Sequence, residues 1–393
     1  MPDPMKHTGL DFGPMHSTLR VALAGLGLLS GCSGAVSSNG AADGGGEAGY
    51  SAPAGTIYVT MYGDNEITVF DQATLAVTGH IPLGEADGGQ EQGPAVMVAT
   101  PDNKKLYTAN WSGNTISVVD VATSTVTSTI ALGGRPWAIA MSPVGNTLFA
   151  GVSSNELVAI DTTRDMIAAS YDTSPNFPES VIVSADGSQV YIDPTSTSSL
   201  SVTALTSGTL ESLSATDGGV VQQPIPVGGT PAFLSISPDG TRAYTLNFIP
   251  GTMSVVDTTT WAVVATVDTG SQPIISSSTP NNQLVVVTDF GASKLVTVDF
   301  QTNAVKSTIM LTGRPVGVGG YTPAGTLGYV VDFGPQSEGT ESLSESLSFL
   351  NGDLSPFVQG PGTLTAFNPQ TGQVLGTPIT VGHGPTSVVV IPQ

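Results

Sequence analysis

The chain has 393 residues, of which 10 are Lys or Arg and 31 are Asp or Glu, giving a net charge of −21 with only 10% charged positions. That acidity excludes the basic footprint nucleic acid requires, and it gives no electrostatic help toward anionic lipid heads. With 48 Gly and 28 Pro the composition suits a turn-rich β protein, and a single Cys excludes an internal disulfide.

The N-terminus carries its own signal. Residues 21 to 31 read Val-Ala-Leu-Ala-Gly-Leu-Gly-Leu-Leu-Ser-Gly, behind Arg20 and ahead of Cys32. A short apolar run with a basic flank reads as a secretory signal, too short to span as a helix. Leu29-Ser30-Gly31-Cys32 resembles the bacterial lipoprotein signal, which implies lipidation of Cys32 and a membrane-anchored envelope location, expected at the outer membrane. The polar stretch Met1 to Pro14 is unlike the start of such a signal, and Met15 serves better as the initiator. Removing residues 1 to 31 takes away Lys6, Arg20, Asp3 and Asp11, so the mature net charge stays at −21. Residues 32 to 54 are the lipidated Cys and a Gly, Ala and Ser tether with nothing to bury.

From residue 55 to 393 one pattern recurs. Its cleanest copy runs Arg135-Pro136-Trp-Ala-Ile-Ala-Met-Ser-Pro143, Leu148-Phe149-Ala-Gly, Leu157-Val-Ala-Ile-Asp161 and Met166-Ile-Ala-Ala. Four short apolar runs bounded by turn residues, repeated every 40 to 50 residues or so, mark a propeller blade. An Asp closes the third strand at Asp71, Asp120, Asp161, Asp257 and Asp299, with Asn368 in the last copy and Leu205 at that place in the degenerate fourth. It opens an Asp-x-x-Thr turn, where the carboxylate accepts a backbone N–H two residues on. Innermost strands begin near Pro94, Pro136, Pro178, Pro231, Pro273, Pro315 and Pro385. The first copy lacks this strand, and the last ends on it. The two halves complement each other, predicting an all-β, seven-bladed propeller closed by pairing the C-terminal strand with the N-terminal blade, so that no inner edge stays open.

Leu106-Tyr-Thr-Ala-Asn110, Ile116-Ser-Val-Val-Asp120 and Ser237-Pro-Asp-Gly240 resemble the strands and turn of the YVTN family of seven-bladed propellers. The resemblance covers residues 55 to 393. It implies the fold and an extracytoplasmic bacterial setting more than any chemistry.

The search for chemistry is largely negative. There is no Cys-x-x-Cys-His, no zinc-type His spacing, no Gly-x-Ser-x-Gly elbow and no phosphate loop, so no cofactor, metal or catalytic residue is expected. The one Gly-x-Gly-x-x-Gly, Gly44 to Gly49, lies in the tether with no strand before it. What remains is positional, because the connectors before the innermost strands and the loops between second and third strands share one face around the channel mouth. There Arg135 and Arg314, two of four mature Arg, precede their prolines, and His383 precedes Gly384-Pro385. They can attract an anionic ligand, or each can pair with a nearby carboxylate. Asn110-Trp111, Asn247-Phe248, Asp289-Phe290 and Asp332-Phe333, with Tyr62 as a partial copy, place rings on the same loops. Such rings stack on a flat ligand or pack between blades, and recurrence across the repeats favours packing.

Three insertions interrupt the pattern. Residues 334 to 362 enlarge the second-to-third-strand loop of the last copy; Leu343, Leu347 and Leu350 permit a short amphipathic helix there. Glu85 to Glu91 reads as a solvated loop, and Ser207 to Gly219 as padding in a third-to-fourth-strand turn. The sequence thus predicts a monomeric, non-catalytic, lipid-anchored propeller binding a protein, peptide or glycan at its mouth. The alternative is a hydrolase similar to the seven-bladed lactonases, with Arg135, Arg314 and His383 holding an anionic sugar lactone.

Overall fold

A computed structural model describes residues 50–86, 88–195, 208–334 and 354–393. Cys32, the tether up to residue 49, Leu205 and the Leu343–Leu350 spacing lie outside the described residues.

The fold is a seven-bladed, all-β propeller. Blade 1 takes its second to fourth strands from Gly55–Met61, Glu66–Asp71 and Val77–Pro82, and its innermost strand from Pro385–Pro392 at the other end of the chain. The innermost strands of blades 2 to 7 are Pro94–Ala99, Pro136–Met141, Phe177–Val183, Pro231–Ile236, Pro273–Ser278 and Pro315–Gly319. The closing pair is antiparallel, with Val59 opposite Val388 and Thr56 opposite Ile391. Val388 packs into the central cluster and Ile391 into the cluster shared by blades 1 and 2, so the closing strand is buried on both faces.

Each inner strand bulges directly after its proline, as between Pro94 and Val96 or Pro136 and Ala138. Proline has no N–H for the ladder, so the strand starts there and one extra residue is left over. In blades 2, 3, 5, 6 and 7 that residue is Ala95, Trp137, Ala232, Ile274 and Val316, all buried in one central apolar cluster. Six further clusters fill the spaces between successive blades, from Tyr58 and Leu106 between blades 1 and 2 to Val286 and Val330 between blades 6 and 7. Each blade therefore buries its faces against its neighbours, as in a repeat array bent into a ring.

The recurrent Asp is a turn device. Asp71 Oδ1 accepts the backbone N–H of Thr74 at 2.8 Å and its hydroxyl at 2.7 Å, and Asp120 holds Thr123 in the same way. The bonded N–H lies three residues on here; in Asp161, two residues on, at Thr163.

Blade 4 departs from expectation. Its third strand is Gly208–Ser214, and Gln189 pairs with Ser214 as Lys105 pairs with Asp120. The residue at the Asp position is thus Ser214 and not Leu205. Ser214 Oγ accepts the N–H of Thr216 at 3.2 Å, a weaker version of the same turn. Residues 208 to 214, expected as turn padding, are strand. Glu85 to Glu91 is also more ordered than a solvated loop: Glu85–Ala86 and Gln90–Glu91 form a hairpin around Gly88 and Gly89, both at positive φ.

Candidate binding face

The connectors and the second-to-third-strand loops meet on one face, and the structure brings the predicted residues to it by two different routes. The Asn or Asp that ends the second strand in blades 2, 5, 6 and 7 is a buried tie. Asn110 Nδ2 donates to Thr115 Oγ1 and Ser117 Oγ at 2.8 Å, and Asn247 donates to Thr252 and Ser254 at 3.0 Å. Asp289 accepts the N–H groups of Ser271 and Gln272 from the preceding connector, with Lys294 Nζ at 3.4 Å. Asp332 accepts from Gly334 N and Thr363 Oγ1; burial pushes its carboxyl up, and those two bonds oppose the shift.

The rings that follow point inward. Trp111, Phe248, Phe290 and Phe333 are all 4% exposed or less, so none offers a free face to a ligand. They join a buried aromatic collar around the mouth, continued by Trp137 and Phe177: Trp111 lies 5.1 Å from Trp137, which lies 5.7 Å from Phe177. Trp111 Nε1 donates to Trp137 O, so the collar is also hydrogen-bonded. Tyr62, half-buried, shares a 2.8 Å hydroxyl bond with Ser112 of the next blade. Packing is the outcome for these rings, and stacking on a ligand is corrected for the four buried ones.

The mouth itself is plugged. Leu354 and Phe357, from the end of the long insertion, are 1% and 2% exposed. Phe357 stacks on Phe333 at 5.6 Å and 12° and meets Phe290 edge-on at 5.3 Å. Leu354, with Phe333 and Trp111, roofs a cavity of about 120 Å³ walled by inner-strand residues such as Val96, Ile275 and Val388. This limb of the insertion is core, which sequence spacing missed; the signal available was the apolar pair Leu354 and Phe357 in the stretch Leu354-Ser-Pro-Phe357.

The three cationic candidates end on the same face but in different settings. Arg135 sits over Trp137, 5.4 Å from its centroid. Arg314, 9% exposed, lies between Phe290 at 5.2 Å and Phe357 at 5.7 Å and clamps the plug. They belong to blades 3 and 7, across the ring from one another. His383 is half-exposed, and its Nδ1 lies 2.8 Å from Asp64 Oδ1, whose other oxygen accepts the His383 backbone N–H at 2.6 Å. The carboxylate therefore fixes the ring orientation and leaves Nε2 as the available nitrogen. Nothing local in the sequence links this pair, because Asp64 and His383 lie 319 residues apart.

Among the described residues no three His, Cys, Asp or Glu side chains gather as a metal-ligand group, and no helix is long and apolar enough to cross a membrane. A scan of protein-family models and a search of curated proteins found no match to this chain.

Proposed function

We propose that the protein is a monomeric, non-catalytic propeller of the bacterial cell envelope, a member of the YVTN-like group, anchored through a lipid on Cys32 and binding a protein, peptide or glycan at its mouth face. The observation that carries the binding-face reading is the plug. Leu354 and Phe357 fill the channel entrance, so recognition falls on the surrounding rim, where Arg135, Tyr62 and His383 stand. Tyr50 donates to Gln72 O and meets Tyr329 Oη at 2.8 Å, on the turn face opposite the mouth.

Panels of acidic and neutral glycans and of charged peptides, presented to the purified propeller, test the reading. Arg135→Ala is expected to weaken an anionic ligand by about tenfold or more, the scale of a charge-assisted hydrogen bond. Equal binding by wild type and by an Arg135→Ala, His383→Ala double variant would remove the rim from recognition.

One observation favours the hydrolase reading: the Asp64–His383 pair presents an oriented imidazole on the mouth rim, the arrangement a general base needs. Incubation with a panel of sugar lactones decides it, with hydrolysis lost in His383→Ala as the supporting result.

A further inference from the structure

The turns joining first to second strands lie on the face opposite the mouth, and one of them breaks the pattern. In blades 2, 4, 5 and 6 a Ser or Thr hydroxyl donates to the polar side chain two residues on: Thr100 to Asp102 at 2.7 Å, Ser184 to Asp186 at 2.6 Å, Ser237 to Asp239 at 2.7 Å and Thr279 to Asn281 at 2.8 Å. In blade 3 that place is held by Val144. Ser142 Oγ donates to the Val144 carbonyl at 2.5 Å instead, and the apolar side chain stands 50% exposed. Turn closure alone does not call for a valine here, since Asp or Asn serves in four sister blades.

Val144 adjoins a pocket. The far ends of the innermost strands of blades 3, 4 and 5 enclose about 330 Å³, walled by Met141, Ile182 and Ile236. The lip is Pro143, Ala185 and Pro238, all exposed, so the pocket opens on the turn face. Its volume lies at the small end of the range for ligand pockets. Apolar surface continues outward on the same three blades, whose outermost strands carry the exposed pairs Met166-Ile167, Val220-Val221 and Val263-Val264 where they leave this face. The matching pairs in blades 1, 2 and 6 are mixed: Val77-Thr78, Thr125-Val126 and Val305-Lys306. Two carboxylates flank the lip. Asp186 and Asp239 are exposed, and each is fixed by a backbone N–H at 3.0 Å, from Ser188 and Thr241. Arg242 is committed to Asp257 and Thr241 O, and Arg164 pairs with Asp161 at 3.3 Å. Among the described residues no Lys or Arg lines the pocket.

We propose that the turn face of blades 3 to 5 is a second docking site, taking a segment of a partner protein in which one or two large apolar side chains are flanked by Lys or Arg. The apolar side chains enter the pocket past Pro143, Ala185 and Pro238, and the flanking cations meet Asp186 and Asp239. Charge selects this class of occupant: a chain of net charge −21 disfavours acidic segments and fatty-acid carboxylates alike. Extent selects it too. A contiguous exposed apolar sector marks an interaction surface, and one that reaches from Val144 to the outermost strands offers contact to a chain segment beyond what a small molecule in the pocket would cover. The site shares no residue with the mouth rim of Arg135, Tyr62 and His383, so it stands apart from the mouth-binding reading.

Fluorescence anisotropy of a labelled probe peptide, acetyl-Lys-Gly-Phe-Leu-Gly-Lys-amide, titrated with the purified protein tests the site. Replacing its Phe and Leu by Ser should weaken binding about tenfold or more, the scale of burying such side chains. Replacing its two Lys by Glu should weaken it about fivefold or more at low salt. On the protein, Ala185→Trp crowds the lip and should abolish most binding. Asp186→Asn with Asp239→Asn keeps the turn acceptors, removes the charge and should weaken the probe about fivefold. In the wild type, the methyl resonances of Ile182 and Ile236 should shift with the probe, a readout that holds even if a variant folds poorly. Equal binding of the Ser-substituted probe would reduce the effect to bulk charge attraction and overturn the proposal. Equal binding of the Glu-flanked probe would leave an apolar pocket without the cationic partner and overturn it as well. Binding lost in Arg135→Ala with His383→Ala but kept in Ala185→Trp, with the two Ile methyls unmoved, would assign the probe to the mouth and overturn this site while supporting that one.

Discussion

At the scale of single residues, the repeat assigns polar side chains to structural work that the sequence only partly reveals. Asn110 looks like one half of an Asn-aromatic ligand motif, yet its amide is spent on Thr115 and Ser117. Asn110→Ala strands those buried hydroxyls and should cost about 1 to 3 kcal/mol, read from urea denaturation. The turn carboxylates respond to pH. Asp71, Asp120, Asp257 and Asp299 are held below their usual range, chiefly by Thr hydroxyls and backbone N–H groups. Their folded values lie below the unfolded one, so the stability they contribute is complete above about pH 4 and is lost as pH falls through the depressed values. Asp332 has the opposite sign: its raised carboxyl favours the fold at low pH and gives up that contribution as pH rises. Carboxylates held low, Asp161, Asp186, Asp217 and Asp239 among them as well, outnumber the raised Asp193, Glu211 and Asp332, which predicts a urea midpoint that drops between about pH 4 and pH 2; a midpoint rising over that range would contradict the turn assignment. Repeat register sufficed to put Arg135, Arg314 and His383 on one face. Whether a ring beside them faces solvent was not legible, because it depends on the adjacent blade and on Phe357, which comes from a different part of the chain.

Among the elements, the long insertion changes meaning most. Shortening Pro335 to Pro361 to a Gly-Ser turn looks harmless when loop length alone is considered. The buried limb makes it otherwise, since that deletion would remove Leu354 and Phe357 from the central cluster. Phe357→Ala should cost about 3 to 5 kcal/mol, as for a large ring deleted from a core. It should also shift Trp111 and Trp137 emission to the red, because the plug covers the collar they belong to. An unchanged midpoint with unchanged emission would detach the plug from the core. Strands were the legible part. Alternation and proline starts located six of seven inner strands to the residue, and Phe177–Val183 to within one. Blade 4 defeated the reading because its turn Asp is replaced by Ser214, and without that marker the register had nothing to fix it.

For the whole molecule, closure decides the geometry of everything else. Seven blades meet only if the last strand enters the first blade, and that joins Asp64 to His383 and Thr60 to Thr386 across the chain ends. Deleting Pro385 to Gln393 strips Val388 and Ile391 from the core and opens an inner edge, so the truncated protein should aggregate or melt far below the parent. Anchoring is tested at the same scale: Cys32→Ser should leave the protein unprocessed or release it from the membrane fraction, and unchanged processing with membrane retention would exclude the lipid. The most direct measurement uses the closing register itself. In a Cys32→Ser background, Val59→Cys and Val388→Cys stand directly opposite on paired strands, within disulfide reach. Mild oxidation should link them within one molecule, seen as a faster band on a non-reducing gel, while Val59→Cys with Val389→Cys, one residue out of register, stays open. Linkage only between molecules, or preferential linkage of the second pair, would contradict the ring and the mouth built upon it.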